Sequence, residues 1–142
     1  MIRTASLEDA AALAGLSTQL GYPADAATMR QRLALVLPSP EHAVFVTELD
    51  GQVVAWMHVL RVLHLETGLG AEIVGLVVDE ARRGAGIGAA LVQRAADWAR
   101  AQHLTTLTVR SRAERLRTHQ FYQRLGFVQQ KVQHVFMMDV SV

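Results

Sequence analysis

Apolar positions change their spacing several times along the chain, and each change marks an element. Ile2 to Ala5 is a short strand-like run, after which Ala10, Leu13, Ala14, Ser17 and Leu20 recur at helical spacing until Gly21. That interval lays one stripe of a helix against a core. Ser6, with Asp9 three residues on, has the form of a capping box at the start of this helix. Tyr22-Pro23 breaks the run. A second helix is predicted from about Ala24 to Leu37, with Met29, Leu33 and Val36 on its buried face and Pro38 and Pro40 ending it.

The spacing then shifts toward strands. Ala43 to Leu49 and Gln52 to Leu63 are β-rich runs separated by Asp50-Gly51, a strong hairpin signal, so the two strands should pair antiparallel. After a loop with Gly68 and Gly70, Ala71 to Val78 is nearly continuously apolar, as expected of a central strand covered on both faces. From about Ile87 to Gln102 the helical period returns. Ile87, Leu91, Ala95 and Trp98 fall along one stripe, and Gln93, Arg94, Asp97 and Arg100 lie opposite. Thr105 to Arg110 reads as a strand and Glu114 to Leu125 as a helix capped by Gly126. Strands near Phe127 to Gln130 and His134 to Val140 complete the pattern. The whole predicts one α/β domain over residues 1–142, a mixed sheet of about seven strands flanked by about four helices.

Between the apolar strand and the amphipathic helix lies Asp79-Glu80-Ala81-Arg82-Arg83-Gly84-Ala85-Gly86-Ile87-Gly88-Ala89. Three glycines leave the turn's N–H groups unshielded, the following helix aims free N–H groups and its partial positive charge at the same place, and Arg82 and Arg83 add formal charge. Such a loop is suited to a phosphate. It is not a Walker loop, which requires Gly-Lys-Ser/Thr after its glycines. Gly84, Gly86 and Ala89 fit the dinucleotide spacing G-x-G-x-x-A, but the region around Thr105 to Arg110 lacks the acidic residue that would grip a ribose.

Arg83-x-x-Gly86-x-Gly88 resembles the pyrophosphate motif (Q/R-x-x-G-x-G/A) of the GNAT superfamily of acyl-CoA-dependent N-acetyltransferases. Phe121-Tyr122-Gln123-Arg124-Leu125-Gly126-Phe127 is similar to that family's F-Y-x-x-x-G-F ending, and both occur in family order. The resemblance implies that acetyl-CoA is the co-substrate, with Arg82, Arg83, Gly84, Ala85, Gly86, Ile87, Gly88 and Ala89 around its pyrophosphate. It further implies that the backbone of Leu76, Val77 and Val78 bonds the pantetheine arm and polarises the acetyl carbonyl. By the same likeness Glu72, eleven residues before Arg83, is the candidate general base and Tyr122 the candidate general acid. A carboxylate in the apolar run Ala71 to Leu76 should be partly desolvated, which raises its proton affinity. A salt bridge to Arg61 or Arg110 is the alternative role for Glu72, and His58 and His64 are the other candidate bases. Many relatives carry an asparagine after the strand that corresponds to Thr105 to Arg110. Here the sequence reads Ser111-Arg112-Ala113-Glu114-Arg115, so Ser111 or Arg112 takes that place, and Arg112, Arg115 and Arg117 otherwise form a solvated helix face.

Composition narrows the reading. No run approaches a bilayer span and no basic stretch precedes an apolar signal region, so a soluble cytoplasmic protein is expected. Zero cysteines exclude thiolate metal ligands and an acyl-cysteine intermediate, leaving direct transfer in a ternary complex. No two of the six histidines have metal-ligand spacing, so no metal is expected. Thirteen of the fourteen basic residues are Arg, which with the many alanines suggests a GC-rich bacterial source. Net charge is +1 but uneven: residues 1 to 80 balance at −6 and residues 81 to 124 at +7. The basic half suits a phosphorylated co-substrate better than nucleic acid, since no recognition helix or aromatic stacking platform accompanies it. The acidic half suits a small cationic amine acceptor, with an aminoglycoside or a polyamine-like cation as examples. A protein amine (lysine or N-terminal) is the second reading and a non-catalytic acyl-CoA-binding module the third; a homodimer is left open.

Overall fold

The computed structural model describes all 142 residues, which divide into two compact units, Met1–Arg110 and Ser111–Val142. The first holds a five-stranded sheet in the order β1-β2-β3-β4-β5: β1 (Ile2–Thr4), β2 (His42–Leu49), β3 (Gln52–His64), β4 (Gly68–Val78) and β5 (Leu107–Val109). The first four strands pair antiparallel, and β4 pairs parallel with β5. Helices α1 (Ala10–Gln19), α2 (Ala26–Val36) and α3 (Ile87–Ala101) belong to this unit. The result is the mixed α/β sheet expected, with two fewer strands. No helix is long and apolar enough to cross a membrane.

Alternation along β2 and β3 sorts the core into two layers. Val44 and Val46 join Ala5, Ala10, Leu13 and Leu33 on one face, with Trp56 packed against them beneath α1 and α2. Phe45, Met57 and Val59 point to the other face, the one α3 covers with Leu91 and Ala95; all five are buried. The Arg94 guanidinium of α3 lies 4.9 Å above the Phe45 ring, a cation–π contact at the edge of this layer. Asp50 and Gly51 both take positive φ, 51° and 77°, as a two-residue turn matching the strand twist requires. The glycines at 68 and 70, expected in a loop, instead begin β4, where Gly70 pairs with Val62. A Cβ on Gly70 would stand 2.5 Å from Thr106 Oγ1, so this strand end has room only for glycine.

In the second unit α4 (Leu116–Arg124) ends at Gly126, whose φ is 100°. The strands expected at Phe127 to Gln130 and His134 to Val140 do not form; residues 127–142 contain neither helix nor strand. Their connector, Lys131-Val132-Gln133, has no residue suited to positive φ, so the two halves do not fold back into a hairpin.

The entry to α1 is held by charge. Asp9 accepts from Arg3 Nη1 and Nη2 at 2.8 and 2.9 Å and from the Ser6 N–H at 2.8 Å, while Arg3 Nε reaches Glu48 at 2.9 Å. The Arg3 guanidinium is the main reason the Asp9 carboxyl is pushed below its usual range. A depressed carboxylate stabilises the fold above its unfolded-state pKa and loses that contribution as pH falls through the folded value. Asp9→Asn is therefore expected to cost about 2 kcal/mol at pH 7, and to flatten the stability loss below about pH 4, in urea unfolding across pH.

Candidate acyl-transfer site

Strand β4 and the loop after it hold most of the candidate site residues. Across β3 its register pairs Gly75 with His58, Ile73 with Val59 and Glu72 with Leu60, leaving Val74 without a partner in a bulge. Across β5 it pairs only from Ala71 to Ile73. Beyond the bulge β4 keeps its ladder with β3, and the alternate residues Leu76 and Val78 turn N–H and C=O groups to the other edge, which no strand takes up. Val77 between them is buried and turns its own groups toward Trp56 on β3.

That edge runs into the glycine loop. Asp79 starts a short 3-10 turn (Glu80–Arg82) by accepting from the Ala81 N–H at 3.2 Å. Gln19, at the end of α1, accepts from the Glu80 N–H at 3.1 Å and donates to Asp79 at 3.5 Å, so the helix end fixes the loop's entry. Gly84 and Gly86 adopt φ of 85° and 80°, which L side chains rarely adopt. Gly86 is also the N-cap of α3 and offers no side-chain cap. The first-turn N–H groups of Ile87, Gly88 and Ala89 thus point out of a 15-residue helix, with exposed Ala85 and the arginines Arg82 and Arg83 on the preceding turn. Free backbone donors and the helix dipole meet there with two arginines close by in the chain, an arrangement suited to an anion.

The sheet face under α1 and α2 presents a row of polar groups. Direct pairing puts Glu72, Leu60 and His42 side by side across three strands, and His58 one step along. Glu72 accepts from Arg110 Nε at 3.1 Å; the Glu72 side chain is 13% exposed and that of Arg110 59%. Of the two arginines expected as partners, it is Arg110 that Glu72 meets. His42 Nδ1 and His58 Nε2 lie 2.9 Å apart with their rings near parallel. Burial first, and then the neighbouring His42, push the His58 imidazole down to about 4. His58 is thus neutral at pH 7. His64, at the far end of β3, is exposed and pairs with Gly68.

Sequence reasoning missed His42 and the Val74 bulge. Gly75, a glycine inside an apolar strand, was the available signal for the bulge. A Cβ there would stand 2.6 Å from the Trp56 ring, so the ring lies against β4 where only hydrogen fits. The Trp56 Nε1 proton is buried without an acceptor.

Tyr122 and Ser111 belong to the second unit. Tyr122 packs edge-on against Phe121 and Phe127, with centroids 5.1 and 5.4 Å away, and burial raises its phenol above the usual value. It therefore holds its proton at neutral pH. Ser111 Oγ donates to the Arg112 carbonyl at 3.5 Å, and the same carbonyl lies 2.8 Å from His119 Nε2.

A sequence profile of the Acetyltransferase (GNAT) family matches residues 10–127, which include the glycine loop, β4 and the Phe121 to Phe127 ending. The chain belongs to the GNAT acetyltransferase family. Three solved structures share this GNAT chain's fold. One is an aminoglycoside antibiotic 6'-N-acetyltransferase of Acinetobacter baumannii, 19% identical, covering 99% of both chains with a TM-score of 0.86. Another is a glucosamine-6-phosphate N-acetyltransferase of Arabidopsis thaliana, 19% identical over 98% of both chains, with a TM-score of 0.82. The third, a GNAT family acetyltransferase of Staphylococcus aureus, is 15% identical over 97% of this chain and 98% of that one, with a TM-score of 0.80. No curated protein matches the chain.

Gly75→Ala tests the close approach on β4. The added methyl must displace the Trp56 ring, so the variant is expected to lose about 1–3 kcal/mol of stability and to shift its tryptophan emission, read by denaturant unfolding and fluorescence.

Proposed function

We propose that this GNAT chain transfers the acetyl group of acetyl-CoA to a primary amine of a small cationic acceptor, by direct attack in a ternary complex. The observation that supports this most is the continuity of the open β4 edge with the uncapped N-terminus of α3. A pantetheine arm is a chain of amides and needs an extended partner with free N–H and C=O groups. A pyrophosphate needs the converging donors of Gly84 to Ala89 and the charge of Arg82 and Arg83. The two requirements lie end to end along one strand and loop, in the order a coenzyme A molecule presents them.

In the proposed reaction the amine nitrogen attacks the acetyl carbonyl carbon, the new C–N bond forms, and the C–S bond breaks as the tetrahedral intermediate collapses. A backbone N–H among Leu76, Val77 and Val78 stabilises the oxyanion. The amine arrives protonated and must lose a proton before it attacks. Glu72 accepts that proton, directly or through water, and its pairing with Arg110 holds it oriented between turnovers. The departing thiolate takes its proton from Tyr122, whose raised phenol is kept protonated by burial, and the second proton that the nitrogen sheds as the amide forms restores the phenol. Ser111 contributes to co-substrate binding in this reading.

A small amine is favoured over a protein by what surrounds Glu72. The carboxylate is largely covered, and its sheet neighbours are the short row of His42, His58 and Leu60. Aminoglycoside and glucosamine-6-phosphate acetyltransferases share the fold, and their acceptors are small amines by name.

The test is release of coenzyme A thiol from acetyl-CoA in the presence of a panel of small amines, with an N-terminal or lysine peptide as the competing acceptor class. Turnover with at least one small amine and none with peptide is expected; the reverse overturns the acceptor assignment. In the same assay Glu72→Gln should lower kcat by about 10²-fold or more at low pH and recover partly as pH nears the amine's pKa. An unchanged pH profile removes Glu72 from the proton path.

A further inference from the structure

The turn that leads from β4 into the glycine loop is held from outside by one side chain. Every backbone N–H from Asp79 to Arg82 has a partner. The Asp79 N–H donates to the Val54 carbonyl on β3 at 2.8 Å, the Ala81 N–H to Asp79 Oδ1 at 3.2 Å and the Arg82 N–H to the Asp79 carbonyl at 2.9 Å. The fourth, the Glu80 N–H, goes to Gln19 Oε1 at 3.1 Å, and Gln19 Nε2 donates in return to Asp79 Oδ1 at 3.5 Å. Val54 and Gln19 are thus the two points that fix the turn from outside, one on the sheet and one on α1.

Gln19 is a firm post because α1 is anchored along its length. Leu13 and Leu16 are buried, Leu13 in the layer with Val44 and Val46, and the helix closes with the Gly21 N–H on the Thr18 carbonyl at 3.1 Å. A loop that cradles an anion binds more tightly when it is ordered before the ligand arrives, and Gly84 and Gly86 leave this one much freedom to lose. The same amide also handles charge. Asp79 and Glu80 stand just before Arg82 and Arg83, and a carboxylate turned toward the loop would oppose an anion there. Asp79 Oδ1 is instead engaged at the start of the turn, by the Ala81 N–H and the Gln19 amide.

We propose that Gln19 is a positioning residue for the co-substrate: its side-chain amide, accepting from Glu80 and donating to Asp79, sets the glycine loop in the form that takes the pyrophosphate of acetyl-CoA. This role rests on the reading of the loop as the acetyl-CoA site.

Calorimetric titration of coenzyme A into the parent and four variants tests it, with urea unfolding to show that each variant is folded. Gln19→Met keeps the length of the side chain and removes both hydrogen bonds, so it should weaken binding about five- to tenfold. Gln19→Glu still accepts from Glu80 but sets a carboxylate against Asp79, and should weaken binding more than Gln19→Met does. Adding Asp79→Asn to Gln19→Glu exchanges donor and acceptor within the pair and should recover most of the loss. Adding Glu80→Gln instead returns the same charge without the donor, and should recover little. Gln19→Met binding as tightly as the parent, no recovery with Asp79→Asn, or a recovery as large with Glu80→Gln, overturns the role of Gln19. A parent that does not bind coenzyme A overturns the co-substrate reading beneath it, so the two failures are told apart.

Discussion

The site depends on where β4 stops pairing. Parallel hydrogen bonds to β5 last only from Ala71 to Ile73, and Val74 bulges out of the register with β3 at the point where they end. Had β5 continued beside β4, the groups of Leu76 and Val78 would be spent in a ladder and no extended ligand could use them. Had the bulge been absent, every later side chain of β4 would face the opposite layer. Val77 is buried on the Trp56 side only because the slip has occurred. The open edge, the fit of the Trp56 ring over Gly75 and the delivery of the chain into the glycine loop all follow from these few residues.

Electrostatics are arranged around the same strand. The loop gathers Arg82, Arg83 and the start of α3 without a compensating side-chain cap, so it keeps its attraction for an anion. Glu72 is treated in the opposite way. Arg110 pairs with it, and the neighbouring His58 adds no charge at neutral pH because burial keeps it unprotonated. One end of β4 thus offers free helix-start N–H groups and two arginines just past Asp79 and Glu80, and the other is nearly balanced around a single carboxylate.

Elements with strong local chemistry were legible in the sequence. Asp50-Gly51 announced a two-residue turn and the hairpin formed around it; of the stripe Ile87, Leu91, Ala95 and Trp98 on α3, Leu91 and Ala95 are buried and Ile87 and Trp98 half-buried; the glycines at 84 and 86 took the positive φ that their loop needs. What depended on register was not legible. A bulge-free hairpin started from Leu49 and Gln52 would set His42 opposite Val59, on the wrong face for His58. The slip between Thr47 and Glu48 moves His42 opposite Leu60 and so beside His58. The Val74 bulge hides in a run, Ile73-Val74-Gly75-Leu76, where both faces are apolar and no alternation marks the slip. Phe127 to Gln130 and His134 to Val140 were read as strands because their composition suits strands, and composition alone does not supply the ladder partner a strand needs. The position of Glu72 was read from family likeness and its choice of Arg110 over Arg61 was not, since Arg61 lies opposite Ala71, on the other face of the sheet.

The central claim is that one unpaired strand edge and one uncapped helix end hold acetyl-CoA together. Amide NMR on the labelled protein tests it most directly, by titrating acetyl-CoA and following the N–H signals of Val74 to Val78 and Gly84 to Ala89. The account predicts that both sets shift and become protected from exchange together, at a common saturation point, while amides of β1 and β2 stay in place. Saturable shifts elsewhere in the protein, with these two segments unmoved, would contradict it.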